Sequence, residues 1–208
     1  MADRTKNTKE KILLSAKKHF LKDGFSGASL RGIVKDAGMT TGAFYKYYPT
    51  KEALFDAFID PYVNHVYEIY DNLAEKFGNL PIDMQLSSLR EFSSIGINKL
   101  LNYIYDNYDN FKLLICCNDN EKYITFIHGL VEREEKATME YVDRMRKDGK
   151  ILPEIDNNLM HMIYSGMFSS IFQIIEHDID VEKAKNSIEQ LKKFYAGGWE
   201  KVWNINMY

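Results

Sequence analysis

SLRGIVKDAGMTTGAFYKYYPTK, from Ser29 to Lys51, holds two short helices and the start of a third. The Ser29 hydroxyl can cap the first turn of a helix that sets Leu30, Ile33, Val34 and Ala37 on one face. Gly38 ends that helix, because a glycine just past a helix end takes the left-handed conformation other residues resist, and Thr40 follows as a fresh N-cap. Two helices joined by so short a turn make a helix-turn-helix pattern. In the second, Phe44 and Tyr48 stand four residues apart and pack back on the first, which leaves Thr41, Gly42, Tyr45 and Lys46 facing out. Pro49 cannot continue the ladder, so the helix stops after about two turns. Thr50 then caps a third helix with Lys51 and Glu52 in its first turn.

That outward set suits the major groove of DNA. Thr41 is small and its hydroxyl can bond a base edge or a phosphate, while Gly42 removes bulk so the backbone can come close. Tyr45 offers a phenolic donor to a phosphate oxygen, and Lys46 reaches a phosphate or the acceptor edge of guanine. Arg31 and Lys51, near the ends of the flanking helices, are placed to hold the backbone on either side. A hairpin whose polar face merely meets water seldom combines Gly, Tyr and Lys on a two-turn helix closed by Pro.

Charge supports this independently. Residues 1–51 hold eleven Lys and Arg against four Asp and Glu, a net of +7, so the rest of a chain of net charge −3 carries −10. A basic head on an acidic body focuses a polyanion on the head and repels it elsewhere.

Residues Thr8 to Phe58, with a basic first helix ending in DGF and then SLRGIVKDAGMTTGAFYKYYPTKEALF, resemble the DNA-binding domain of the tetracycline-repressor (TetR) family of bacterial regulators. The resemblance covers about the first quarter of the chain. It implies DNA contacts at Ser29, Arg31, Thr40, Thr41, Gly42, Tyr45, Lys46 and Lys51. The position of Lys46 is often His in that family, which implies a purely electrostatic contact here. The resemblance further implies a homodimer on a palindromic double-stranded operator, released by a small-molecule effector. A constitutive DNA-binding protein with no effector would carry the same head and stays open as the alternative.

The N-terminal residues, Met1 to Asn7, read as a polar arm, disordered alone, with Thr8 capping the opening helix. Ile12, Leu13, Ala16 and Phe20 form that helix's apolar stripe, and Gly24 ends it. The expected domains are therefore a three-helix DNA-binding domain over residues 1–52, a long linking helix over 51–77 interrupted only by Pro61, and a larger helical ligand-binding and dimerisation domain over 78–208. In the last, helices are expected over 84–108, 110–117, 120–147, 157–177 and 181–203. No alternating strand pattern, internal repeat or low-complexity tract interrupts them, so the fold class is all-α.

Leu159 to Ile175 is apolar almost all round, so a helix there must be buried on both sides. Together with the final helix it reads as a dimer interface built on Met167, Phe168, Ile171, Ile175, Leu191, Tyr195 and Trp199, and the resemblance favours that over a monomer core. Gly197 and Gly198 each cost a helix about 1 kcal/mol, so a close contact or a kink is expected to offset them. Aromatic residues crowd the middle helices, and Tyr105, Phe111, Phe126, Tyr164 and Phe168 are candidate walls of a pocket for an apolar or aromatic effector, although any one of them taken alone reads as plain core.

Other classes find little support. There is no phosphate-binding or dinucleotide loop, nucleophile elbow or paired-carboxylate cleft, so no catalytic residue and no cofactor is expected. His128, His161 and His177 lack neighbours at ligand spacing, so no metal site is expected. The run Glu132 to Lys136 reads as a solvated helix face. Cys116 and Cys117 read as small buried hydrophobes in a reducing compartment. The polar start of the chain reads as having no secretory leader, and the uncharged stretch Asn157 to Ile175 as buried protein rather than a membrane span. The expected location is cytoplasmic.

Overall fold

Side-chain caps open several helices where the sequence places them. In the computed structural model, which describes residues 2–116 and 121–204 with the side chains of residues 2–5, 86 and 90 excepted, Ser29 Oγ accepts from Gly32 N at 3.3 Å. Thr40 Oγ1 accepts from Ala43 N at 3.2 Å, and Thr50 Oγ1 from Ala53 N at 3.0 Å. Asp156 and Asp180 cap the last two helices in the same way, accepting from Leu159 N and Lys183 N at 3.1 Å each. Gly38 takes a φ of +72°, the left-handed conformation its place in the turn requires.

The described elements are α1 (Ala2–Gly27), α2 (Leu30–Asp36), α3 (Thr41–Phe44), α4 (Lys51–Gly78), α5 (Ile82–Asp106), α6 (Tyr108–Cys116), α7 (Glu121–Lys147), α8 (Asn157–Glu176) and α9 (Val181–Trp203). The described residues include no strand, so the fold is all-α. α9 has the expected bounds, and α5 and α6 each lie about two residues earlier than the sequence suggests. The expected starting residue of α7, Asn120, lies outside the described residues.

Three expectations are corrected. Helix α1 begins at Ala2, so residues 2–7 are not an irregular arm and Thr8 lies inside the helix rather than capping it. No Gly or Pro separates residues 2–7 from the periodic stretch, so the helix extends through them. Cys116 is exposed, at the end of α6 just beyond buried Leu113, Leu114 and Ile115, which overturns its reading as a buried hydrophobe. Cys117 lies outside the described residues. Within the chain itself Gly197 and Gly198 have neither a close neighbour nor a kink: a Cβ at either would meet nothing of the chain within 4 Å, and α9 continues without a break.

The chain forms two compact units. The first joins residues 1–64 to residues 108–123, and the second holds residues 65–107 and 124–208. This division does not follow the expected cut at residue 78: α4 contributes to both units, and α6, expected with the effector domain, packs on α1 in the first. The core of the first unit is built on fully buried Ile12, Phe20, Ile33, Phe44 and Leu54. Phe20, Phe25 and Phe55 form a ring triangle, with Phe20 edge-on to Phe55 at 5.3 Å and Phe25 5.0 Å from Phe55.

In the second unit Phe126 meets Phe172 edge-on at 5.0 Å, and Tyr105 Oη donates to Ile179 O at 2.6 Å. Tyr67 crosses from α4 to donate to Phe126 O at 3.1 Å, with the Arg133 guanidinium 3.9 Å from its ring centre. A methyl at Gly129 would overlap this held Tyr67 ring. In an open helix Gly→Ala gains about 1 kcal/mol. Here Gly129→Ala is expected to lower stability by about 1–3 kcal/mol through overpacking. The midpoint of chemical denaturation measures it, and an unchanged or raised midpoint would overturn the close-approach argument.

Candidate functional site

The outward face of the second short helix is presented by a buttressed scaffold. Ser15 Oγ in α1 donates to Ile33 O at 2.8 Å, and His19 Nε2 lies 3.0 Å from Asp36 Oδ2, so α1 grips α2 at two points. The hydrogen bond with His19, then the nearby cations, holds the Asp36 carboxyl below its ordinary range. Phe44 is fully buried and Tyr48 nearly so, their ring centres 5.9 Å apart. Regular helix ends at Phe44, but Tyr48 N still donates to Phe44 O at 3.1 Å, which carries the turn as far as Pro49.

Thr41, Gly42 and Lys46 are exposed and Tyr45 keeps 51% of its surface, so these four project together from one face. Arg31 is exposed on α2. Ser29 and Thr40 are exposed, with their side-chain oxygens also acting as caps. Lys51 is engaged differently. Its ammonium donates to Phe25 O at 2.8 Å and Ala28 O at 3.3 Å and sits 4.5 Å from the Phe25 ring centre, tying the end of α1 to the start of α4.

The second unit contains a cavity of about 930 Å³. Of the five aromatic residues proposed for a pocket, Tyr164 and Phe168 line it; Tyr105, Phe111 and Phe126 do not. Phe111 is fully buried in the first unit and Phe126 in the core of the second. Helical periodicity shows that an aromatic faces inward, but not which interior it enters.

The sequence reading missed Glu134. Read as part of a solvated face, it lines the cavity instead, and Tyr70 Oη donates to its Oε2 at 2.5 Å. Burial raises the Glu134 carboxyl above its ordinary range, and burial followed by the Glu134 charge raises Tyr164. A signal was present: Glu134 lies four residues from both Leu130 and Thr138 and seven from Tyr141, on the inward stripe of α7. Thr138 Oγ1 and Tyr164 Oη are 2.7 Å apart, and the buried Tyr141 hydroxyl has no hydrogen-bond partner.

The residues expected at a dimer interface turn inward. Phe168, Ile171, Ile175 and Trp199 are buried within the subunit, while Met167, Leu191 and Tyr195 are partly exposed and line the cavity. The apolar side chains left in the open on these two helices are Leu159, Met162 (62%) and Phe194 (72%). No described group of three or more His, Cys, Asp or Glu is arranged to hold a metal, and no described helix is long and apolar enough to cross a membrane.

A short helix with an exposed polar face, braced by α1 and α2 across a glycine turn, is the DNA-binding class of helix-turn-helix. Residues 12–58 match the family described as bacterial regulatory proteins, tetR family. An uncharacterized HTH-type transcriptional regulator, YuxN of Bacillus subtilis (strain 168), is 33% identical over 69 residues, which is 33% of this chain and 24% of that protein. Another, encoded in the lacX 3′ region of Lactococcus lactis subsp. lactis, is 28% identical over 112 residues, 54% of this chain and 51% of the relative. The chain thus spans between a quarter and half the length of these relatives. Among solved structures, a transcriptional regulator from Aquifex aeolicus VF5 has the same fold, with a TM-score of 0.60 over 90% of this chain and 99% of its own at 20% identity. The fatty acid degradation regulator FadR from Bacillus halodurans superimposes with a TM-score of 0.56 at 15% identity, over 88% and 96% of the two chains. Residues 12–58 thus match the tetR-family DNA-binding segment, and the chain as a whole shares its fold with these solved regulators.

Proposed function

We propose that this chain is a DNA-binding transcriptional repressor that engages a palindromic operator as a homodimer and is released by a small molecule. The observation that carries the reading is the joint exposure of Thr41 and Gly42 on α3 and of Tyr45 and Lys46 in the turn that continues it, a segment too short to stand alone and held from behind by Phe44 and Tyr48. Arg31 adds a phosphate contact, Ser29 and Thr40 contact DNA while capping their helices, and Lys51 acts through the turn it holds. DNA binding falls to residues 1–52, and ligand binding and dimerisation to residues 78–208 apart from α6, with the second half of α4. The chain catalyses nothing in this reading.

The effector site is the 930 Å³ cavity, which has room for a drug-sized ligand. Val66, Tyr70, Leu73 and Phe77 of α4 line it, and the same helix begins at Lys51, two residues beyond Pro49. A ligand that prefers one position of α4 therefore biases the head, and only by its difference in affinity between the two states. By reciprocity, operator DNA weakens ligand binding by the same factor.

Selection of bound sequences from a random DNA pool tests the reading. The expected product is a palindrome whose half-sites lie about 34–36 Å apart, or a multiple of that, matching two reading helices in successive major grooves. Enrichment of no common sequence would refute it.

A further inference from the structure

The cavity combines aromatic walls with a part-buried carboxyl, Glu134, that has no charged partner; of the other lining carboxylates Asp71 pairs with Arg133, and Glu75 and Glu140 are exposed. Tyr70 donates to one oxygen of Glu134, and among the described residues no Lys, Arg or His lies within ion-pair distance of that carboxyl. Three of the four cations that line the same cavity are engaged elsewhere. Arg133 bonds Asp71 at 3.1 Å and Gly129 O at 2.9 Å, Arg144 donates to Gly78 O and Glu140 O, and Lys192 pairs with Glu189 at 2.9 Å. Lys136 is exposed. A part-buried carboxyl with a single neutral donor gains from a positive partner brought into the cavity. Burial raises its affinity for the proton, and a bound cation would reverse that.

Two other features point into the same space. The buried Tyr141 hydroxyl has no partner, so a donor or acceptor in the cavity would satisfy it. The rings of Tyr70, Tyr141, Tyr164, Phe168, Trp199 and Trp203 line the walls, and aromatic faces attract organic cations. We propose that the cavity binds an amphipathic organic cation, a protonated amine on an apolar body, with Glu134 as its counter-charge and the Tyr141 hydroxyl as a second polar contact. This deepens the effector reading above and rests on the cavity being the effector site.

Both tryptophans of the chain, Trp199 and Trp203, line the cavity, so intrinsic fluorescence reads occupancy directly and without DNA. Dodecylammonium, dodecanol and dodecanoate, titrated below their micelle concentrations, differ only in the head group. The full-length protein is expected to bind dodecylammonium at least tenfold more tightly than the other two. Glu134→Gln should weaken dodecylammonium at least tenfold, about 1.4 kcal/mol, and leave dodecanol unchanged. A parent protein that favours dodecanoate, or a Glu134→Gln protein that binds dodecylammonium as well as the parent, would overturn the proposal. If Glu134→Gln does not fold, the parent's ranking of the three head groups decides. The two readings fail separately: an amine that binds and never releases operator refutes the regulator and supports the ligand class, while operator release by dodecanoate alone does the reverse.

Discussion

Replacing Tyr45 and Lys46 together with alanine is expected to weaken specific operator binding at least tenfold while leaving the fold intact. Both side chains are exposed, so truncation removes DNA contacts and little packing beyond the edge of Tyr45 against Phe44, 5.5 Å between ring centres. A base contact from either residue is worth about 1–3 kcal/mol, and a phosphate contact from Lys46 carries about one unit of the salt slope. Gel-shift titrations of the single and double variants at several salt concentrations separate the two. If the double variant binds as tightly as the parent at every salt, this helix does not read DNA.

Glutamate at Phe194 and Met162 is expected to convert a homodimer to folded monomers. These side chains keep 72% and 62% of their surface on α9 and α8. In an isologous interface each new charge would be buried without a partner, next to its own symmetry copy. The open space over Gly197 and Gly198 leaves room there for a partner helix. Phe168→Glu is the contrasting control: at 4% exposure it lies in the subunit core, so it should unfold the effector domain rather than dissociate the dimer. Light scattering at micromolar concentration reads both, and a monomeric parent would refute the surface.

The head could be read from the sequence because its signals are local. Ser29, Thr40 and Thr50 cap, Gly38 turns, and Phe44 and Tyr48 sit one turn apart, so few positions depend on distant contacts. The body gave up its helices, since Asp156 and Asp180 mark their starts, but not its interior. Helix α8 is apolar on nearly every side, and no periodicity can say that Phe168 and Ile171 face the subunit core while Met162 faces out. Phe111 and Phe126 look alike in sequence and enter different cores. Glu134 was obscured by its charged neighbours Glu132, Arg133 and Glu135, although its spacing from Leu130 and Thr138 placed it inward. Lys51 looked like a phosphate anchor because its partners, the carbonyls at the end of α1, lie more than twenty residues away.

That lysine, with Phe55 one turn beyond it, sets where the head ends as a cooperative folding unit. Lys51 supplies donors to the Phe25 carbonyl in the last turn of α1 and the Ala28 carbonyl just past it, and Phe55 closes the ring triangle with Phe20 and Phe25. A fragment cut at residue 52 would keep the lysine but expose two of those rings to water. The slowest-exchanging amides of the head should therefore include those of the first turns of α4, and the smallest autonomous reading module must carry part of the helix that serves as its lever.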